Sequence, residues 1–226
     1  MRSNSYHRAS HPHRKEMGKK DAKVRLIHNI AGAPSVDVYI DENLVASDVE
    51  YRGVSDYLAI KPGKHEITLK QSGTRNELLV RYASVTHGKS YTLLVSGDVD
   101  RPETFSILPL LDDTQKPGPG KSKIRFVHDA ASSPTVDVYY ESYDGNMPLF
   151  ENYSYKDYTK NYLEVDSNDV VLVVTPAGSL DAVIEPFDTT LEEGKVYSFI
   201  ASGTTTNNSY PLMVIMTEDK KSCLYM

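Results

Sequence analysis

The sequence predicts an all-β protein built as two tandem antiparallel β-sandwich domains behind an extended N-terminal arm. Three observations lead there. Apolar residues recur with period two in short runs rich in Val, Ile, Tyr and Thr, and no segment sustains a helical period. Nearly the same eighteen residues are also written twice, KVRLIHNIAGAPSVDVYI from Lys23 and KIRFVHDAASSPTVDVYY from Lys123. With 226 residues, 39% hydrophobic and 25% charged, the chain has enough apolar mass for two cores.

The elements follow in order. Residues 1–22 hold Arg2, Arg8, Arg14, Lys15, Lys19 and Lys20 against Glu16 and Asp21, a net +4, whereas the rest carries 19 basic and 29 acidic side chains. A basic arm on an acidic body can dock on another copy, and those six cations are the expected subunit contact. The first domain, 23–113, contains the runs KVRLIH, SVDVYI, HEITLKQ and SYTLLVSG between Gly, Pro, Asn and Asp breaks. Residues 114–122, TQKPGPGKS, have no apolar side chain and read as a linker. Their GPGKS is not a phosphate-binding loop: the first glycine of that motif would fall at Gln115, and a strand run follows. The second domain, 123–219, repeats the plan with KIRFVHD, TVDVYY, VVLVVTP and VYSFIAS. In the tail, 220–226, Cys223 is the only cysteine, which excludes an intrachain disulfide and makes it a candidate cross-link to a neighbouring chain.

The two copies share Lys23/Lys123, Arg25/Arg125, His28/His128, Ala31/Ala131, Pro34/Pro134 and the Val-Asp-Val-Tyr run at Val36 and Val136. Further echoes are DYL at Asp56 against NYL at Asn161, GKSY at Gly88 against GKVY at Gly194, and LLDD at Leu110 against MTED at Met216. The doubled set Arg25, His28, Asp37 and Arg125, His128, Asp137 has the ingredients of a general base, but neither copy supplies a nucleophile. The expected role is therefore structural, with His28 tying the loop that follows it and Asp37 facing Arg25 on a neighbouring strand. No cofactor is expected. Asp98, Asp100, Glu103, Asp112 and Asp113 offer oxygen ligands but read as solvated loop carboxylates, and nothing fixes the geometry of His7, His11 and His13.

Tyrosine is over-used, sixteen against five Phe and no Trp. The cluster around the longer hairpin of copy two makes Tyr143, Tyr153, Tyr155 and Tyr158 the expected interaction surface for a subunit or a glycan.

The stretches VRLIHNIAGAPSVDVYID, YRGVSDYLAIKPGKHEITL and GKSYTLLVSG resemble an uncharacterised, mostly bacterial Ig-like family, domain of unknown function 4397. Its pattern has a Val-Arg-Val-Val-His opening, Pro before Val-Asp-Val-Tyr, a Tyr-Leu strand and Gly-Lys-x-Tyr. Copy one matches throughout, while copy two has DSND in place of the Pro-Gly turn. The resemblance implies tandem Ig-like sandwiches, a surface setting and no catalytic activity.

No apolar run reaches the roughly 18 residues that span a bilayer, and the N-terminus lacks the apolar stretch of a secretory signal. The expectation is a chain made in the cytoplasm and assembled on a cell, spore or virion surface. Its expected function is non-enzymatic: a structural protein that self-assembles or decorates a coat, appendage or virion shell, with the arm contacting a neighbour. The alternative is a monomeric carbohydrate- or peptide-binding adhesion module. Expected partners are further copies, other coat or shell proteins, or a glycan, with nucleic acid not among them.

Overall fold

The computed structural model describes residues 21–113, 115–141 and 145–219. The arm cations, Tyr143 and Cys223 lie outside the described residues. The first half forms β1 (Ala22–Ala31), β2 (Val36–Ile40), β3 (Asn43–Val49), β4 (Leu58–Ile60), β5 (Gly63–Gln71), β6 (Glu77–Val85), β7 (Ser90–Asp98) and β8 (Arg101–Asp112). The second half forms β9 (Lys121–His128), β10 (Val136–Tyr140), β11 (Met147–Tyr153), β12 (Leu163–Asp166), β13 (Asp169–Pro176), β14 (Ile184–Thr190), β15 (Val196–Ser202) and β16 (Met213–Glu218). Among the described residues there is no helix, and so none long and apolar enough to cross a membrane.

Each half is a sandwich of two four-stranded sheets with the same strand order. In the first, β4-β1-β7-β8 faces β3-β2-β5-β6; in the second, β12-β9-β15-β16 faces β11-β10-β13-β14. Pairing is antiparallel except for β1 with β7 and β9 with β15, which run parallel. A parallel pair needs a long crossover, and the strands of the other sheet provide it. The segment expected to be a linker is shorter than the sequence suggested, because Lys121 and Ser122 already pair with Asp166 and Val165.

Period two governs the outer sheets: along β2, Val36, Val38 and Ile40 point into the core, while Asp37 and Tyr39 point away. β1 differs, because both of its faces are buried. Val24, Leu26 and Ile30 enter the core of the first half, whereas Ile27 joins Leu94, Leu110, Val127 and Ile200 in a separate cluster drawn from both halves. All five are fully buried, and each contributes roughly 1.5–3 kcal/mol. The molecule is thus four sheets deep, with β4-β1-β7-β8 and β12-β9-β15-β16 packed against each other along a central seam. Adjacent apolar pairs in the sequence, Leu26-Ile27, Leu93-Leu94 and Phe199-Ile200, are the signature of strands covered on both sides.

Candidate functional site

The residues shared by the two copies meet at the seam. Arg25 stands on the face of β1 that carries Ile27. Its guanidinium donates to the Asp219 carboxylate, and at 2.9 Å each to the Glu218 carbonyl and Thr92 Oγ1. Arg125 repeats this from β9, donating to Asp112 Oδ1 at 2.6 Å, the Leu111 carbonyl at 3.0 Å and Ser198 Oγ at 2.7 Å. Tyr57 and Tyr162 lie under the two guanidinium groups, 4.9 and 5.0 Å from ring centroid to Cζ, and donate their hydroxyls to Asp112 and Asp219. The echo of LLDD in MTED is corrected here by one residue. Asp112 pairs with Ser90 on β7, and the Asp219 amide bonds the Val196 carbonyl in the matching place.

Burial pushes the Asp112 carboxyl up while Arg125 beside it pulls down, and burial pushes both phenols well above their ordinary value. Two cations and two anions compensate one another inside this cluster, so its work is to hold the halves in one orientation.

The other end of the seam carries an acid, Asp129, that no cation among the described residues bonds. Asn29 Nδ2 donates to Asp129 Oδ2 at 2.7 Å, Ser96 Oγ donates to Asp129 Oδ1, and Ser202 Oγ donates to Asn29 Oδ1 at 2.5 Å. Complete burial raises the Asp129 carboxyl to about 7, against the lowering bonds from Ser96 and Asn29. Asp129 occupies the place of Asn29 in the repeat.

His28 Nε2 lies 3.1 Å from the Pro34 carbonyl, and His128 Nε2 lies 2.9 Å from the Pro134 carbonyl. A carbonyl only accepts, so Nε2–H is the donor, and each histidine closes the loop after its strand. Burial lowers both imidazoles and keeps them neutral. Arg25 and Asp37 do not pair. β1 turns Arg25 to the seam, while the Asp37 carboxylate accepts from the Asp48 amide at 2.9 Å and Ser72 Oγ at 3.0 Å on the outer sheet. Asp137 likewise accepts from the amides of Asn152 and Gly178, at 2.7 and 2.9 Å.

The three described tyrosines of the predicted surface are half-buried: Tyr153 packs against the second core, the Tyr155 hydroxyl is 3.0 Å from Ser96 Oγ across the seam, and Tyr158 packs on the seam's apolar cluster. Asp112 and Asp113 are held by Arg125 and Lys123, and Asp98 is buried beside Thr204. Among the described residues no group of three or more His, Cys, Asp or Glu is placed to hold a metal ion.

The match between the halves breaks at one edge. In the second half Phe126 on β9 and Phe150 and Tyr153 on β11 form a trio with ring centroids 5.6–5.9 Å apart. Register puts Ala46 where Phe150 stands, since Val38 faces Ala46 as Val138 faces Phe150; it puts Val49 where Tyr153 stands, opposite Val36 and Val136. Leu26 takes the place of Phe126 in the repeat. Where three rings close the second half, the first half has a groove of about 600 Å³ between 45–50 and 53–58. Beneath it a cavity of about 20 Å³ reaches Leu26, Val38 and Leu93. Val54 and Leu58 are 43% and 38% exposed at the groove. Asp48, Glu50 and Asp56 line it without any basic residue, and among the described residues none of these three forms an ion pair.

The profile of the family described as Domain of unknown function (DUF4397) matches residues 22–139, the whole first half and the second copy as far as Tyr139 on β10. The chain belongs to this family. The DUF4397 match therefore contains the groove and one complete set of the seam residues Arg25, Tyr57, Thr92 and Asp112. No curated protein matches the chain. Among solved structures, the Bacillus anthracis TIE protein is 10% identical with a TM-score of 0.28, over 82% of this chain and 34% of that one, so this chain spans about a third of its length. CBMbc (family CBM26) from Eubacterium rectale Amy13K, in complex with maltoheptaose, is 10% identical over 91% of this chain and 98% of that one, with a TM-score of 0.25. A streptococcal virulence factor that binds alpha-glucan is 10% identical over 84% and 96%, with a TM-score of 0.26. TM-scores at this level carry no argument about what this chain binds.

Proposed function

We propose that this chain is a non-catalytic interaction module of the structural or adhesion kind, which takes an extended peptide segment in the groove of its first half. The domain at 23–113 is the binding half and the domain at 123–219 its closed support. One observation carries this reading: at equivalent places the second half has Phe126, Phe150 and Tyr153 in mutual contact, and the first has Ala46 and Val49 lining an open groove, with Leu26 at the small cavity beneath it. The unpaired edge of β3 offers backbone donors and acceptors to an added strand, and the space between the sheets accepts its side chains. The titratable groups of the seam are bonded to one another, which supports a role without catalysis.

Panning a random peptide library on the immobilised full chain tests this reading. Selected peptides should bind saturably and lose at least tenfold in affinity on Ala46→Phe or Val49→Tyr, the residues with which the second half closes its edge. A selection yielding no peptide that distinguishes wild type from both folded variants would remove the groove as the site.

A further inference from the structure

We propose that the occupant of the groove is the chain's own N-terminal segment, residues 1–20, seated through Tyr6. This inference rests on the peptide-binding reading above and names its ligand.

The argument starts from the second half as an internal template. There the same edge holds three aromatic rings in edge-to-face and stacked contact, and Tyr153 also places its hydroxyl 3.1 Å from Thr159 Oγ1. The first half keeps the equivalent hydroxyl on Ser55, which lines the groove, but supplies none of the rings. Tyr57 at its end is committed to Arg25 and Asp112, so what the groove lacks, at the place of Tyr153 where Val49 stands, is an aromatic side chain with a polar tip. Tyr6 is the one Phe, Tyr or Trp among residues 1–20.

Charge points the same way. Tyr6 is followed directly by His7 and Arg8, and residues 1–20 carry six basic side chains against Glu16. The groove presents Asp48, Glu50 and Asp56 and no cation. A basic segment meets an acidic rim, which favours association and sets direction more than it adds affinity.

Reach is sufficient. Ala22 pairs with Ile60, two residues beyond Leu58 at the end of the groove. The 14 residues between Tyr6 and Asp21 extend to roughly 45–50 Å, more than the roughly 20 Å of strand that the groove accommodates.

The test replaces Tyr6 in the full chain by p-benzoylphenylalanine, irradiates it and maps the adducts by mass spectrometry. Adducts within 45–58 are expected; a mass of one chain or of two reports whether the segment fills its own groove or that of a second copy, and either is occupancy by residues 1–20. Adducts confined to other surfaces, or none, overturn the assignment.

A second measurement titrates a labelled peptide of residues 1–20 into the full chain carrying Tyr6→Ala. The peptide should bind at least tenfold more tightly there than to wild type, whose own segment competes. Binding should be lost on adding Ala46→Phe, with Val49→Tyr as the second plug should the first fail to fold. Equal binding to wild type and Tyr6→Ala counts against the assignment. If library peptides bind the groove and residues 1–20 do not displace them, the ligand assignment fails and the groove remains a peptide site; if nothing binds, both readings fail.

Discussion

Arg25 and Asp219, 194 residues apart, form a buried ion pair across the seam, and Arg125 and Asp112 form its counterpart in the opposite sense. Each half thus presents the same patch, an arginine over a tyrosine beside an aspartate, and receives the same patch from the other. That is the logic of a two-fold interface, written here within one chain.

Breaking that reciprocity should be costly. Arg25→Met leaves Asp219 buried beside Arg125 alone at 3.4 Å, and urea denaturation should show a loss of about 3–5 kcal/mol. Adding Asp219→Asn should recover part of it. A single-variant loss below about 1 kcal/mol would show that the pair does not lock the halves.

Asp129 should make stability fall toward alkaline pH. Its carboxyl ionises near 7 in the folded chain and near its ordinary value of 3.8 when unfolded. Between those values the folded state holds a proton that the unfolded state has released. The stabilisation is complete below about 3.8 and is lost as pH rises through 7. Asp129→Asn should therefore gain on wild type from pH 4 to pH 8, by on the order of 4 kcal/mol at most. Denaturation curves across that range check it, and a constant difference would mean that Asp129 is ionised throughout.

The histidines act in the other direction. His28 and His128 are held neutral with lowered affinity for a proton, so the unfolded chain binds protons more readily. Stability from both is present above the ordinary imidazole value of 6.5 and is lost as pH falls below it. The double variant His28→Gln, His128→Gln should lower the midpoint of acid unfolding followed by circular dichroism. An unchanged midpoint would place the acid sensitivity elsewhere.

Phe150 and Ala46 should respond unequally to exchange. Phe150→Ala opens the closed edge of the second half and should cost about 3–5 kcal/mol. Ala46→Phe enters existing space and should change stability by less than about 1 kcal/mol. Thermal and urea unfolding of the two variants measure the contrast; a large loss from Ala46→Phe would mean that the groove has no room for a ring.

Much of the architecture was legible beforehand. Period two marks the strands, the repeat marks two halves, and His28 stands before the loop whose Pro34 carbonyl its ring bonds. The sequence pairs Arg25 with Asp37 on a neighbouring strand, because a charged residue in a repeat looks like a partner for the charged residue nearest in the same repeat. The signal that placed it otherwise was its neighbour Ile27: an apolar residue on the same face as Arg25 means that the face is covered. The tyrosines of copy two look like a surface because they cluster in sequence, yet Tyr153 sits edge-on to Phe126 and Phe150 while Tyr155 and Tyr158 contact the seam.

By itself, then, the sequence determined the all-β build, the duplication and the family, since strand periodicity and repeated residues are properties of the chain read locally. Only the tertiary structure decided what the repeated residues do. A strand's pattern states which face is polar but not what covers it, and the pairing of Arg25 with Asp219 arises only when the two halves meet face to face. The groove was decided at the same level: Ala46 is unremarkable in sequence and acquires meaning when register sets it against Phe150.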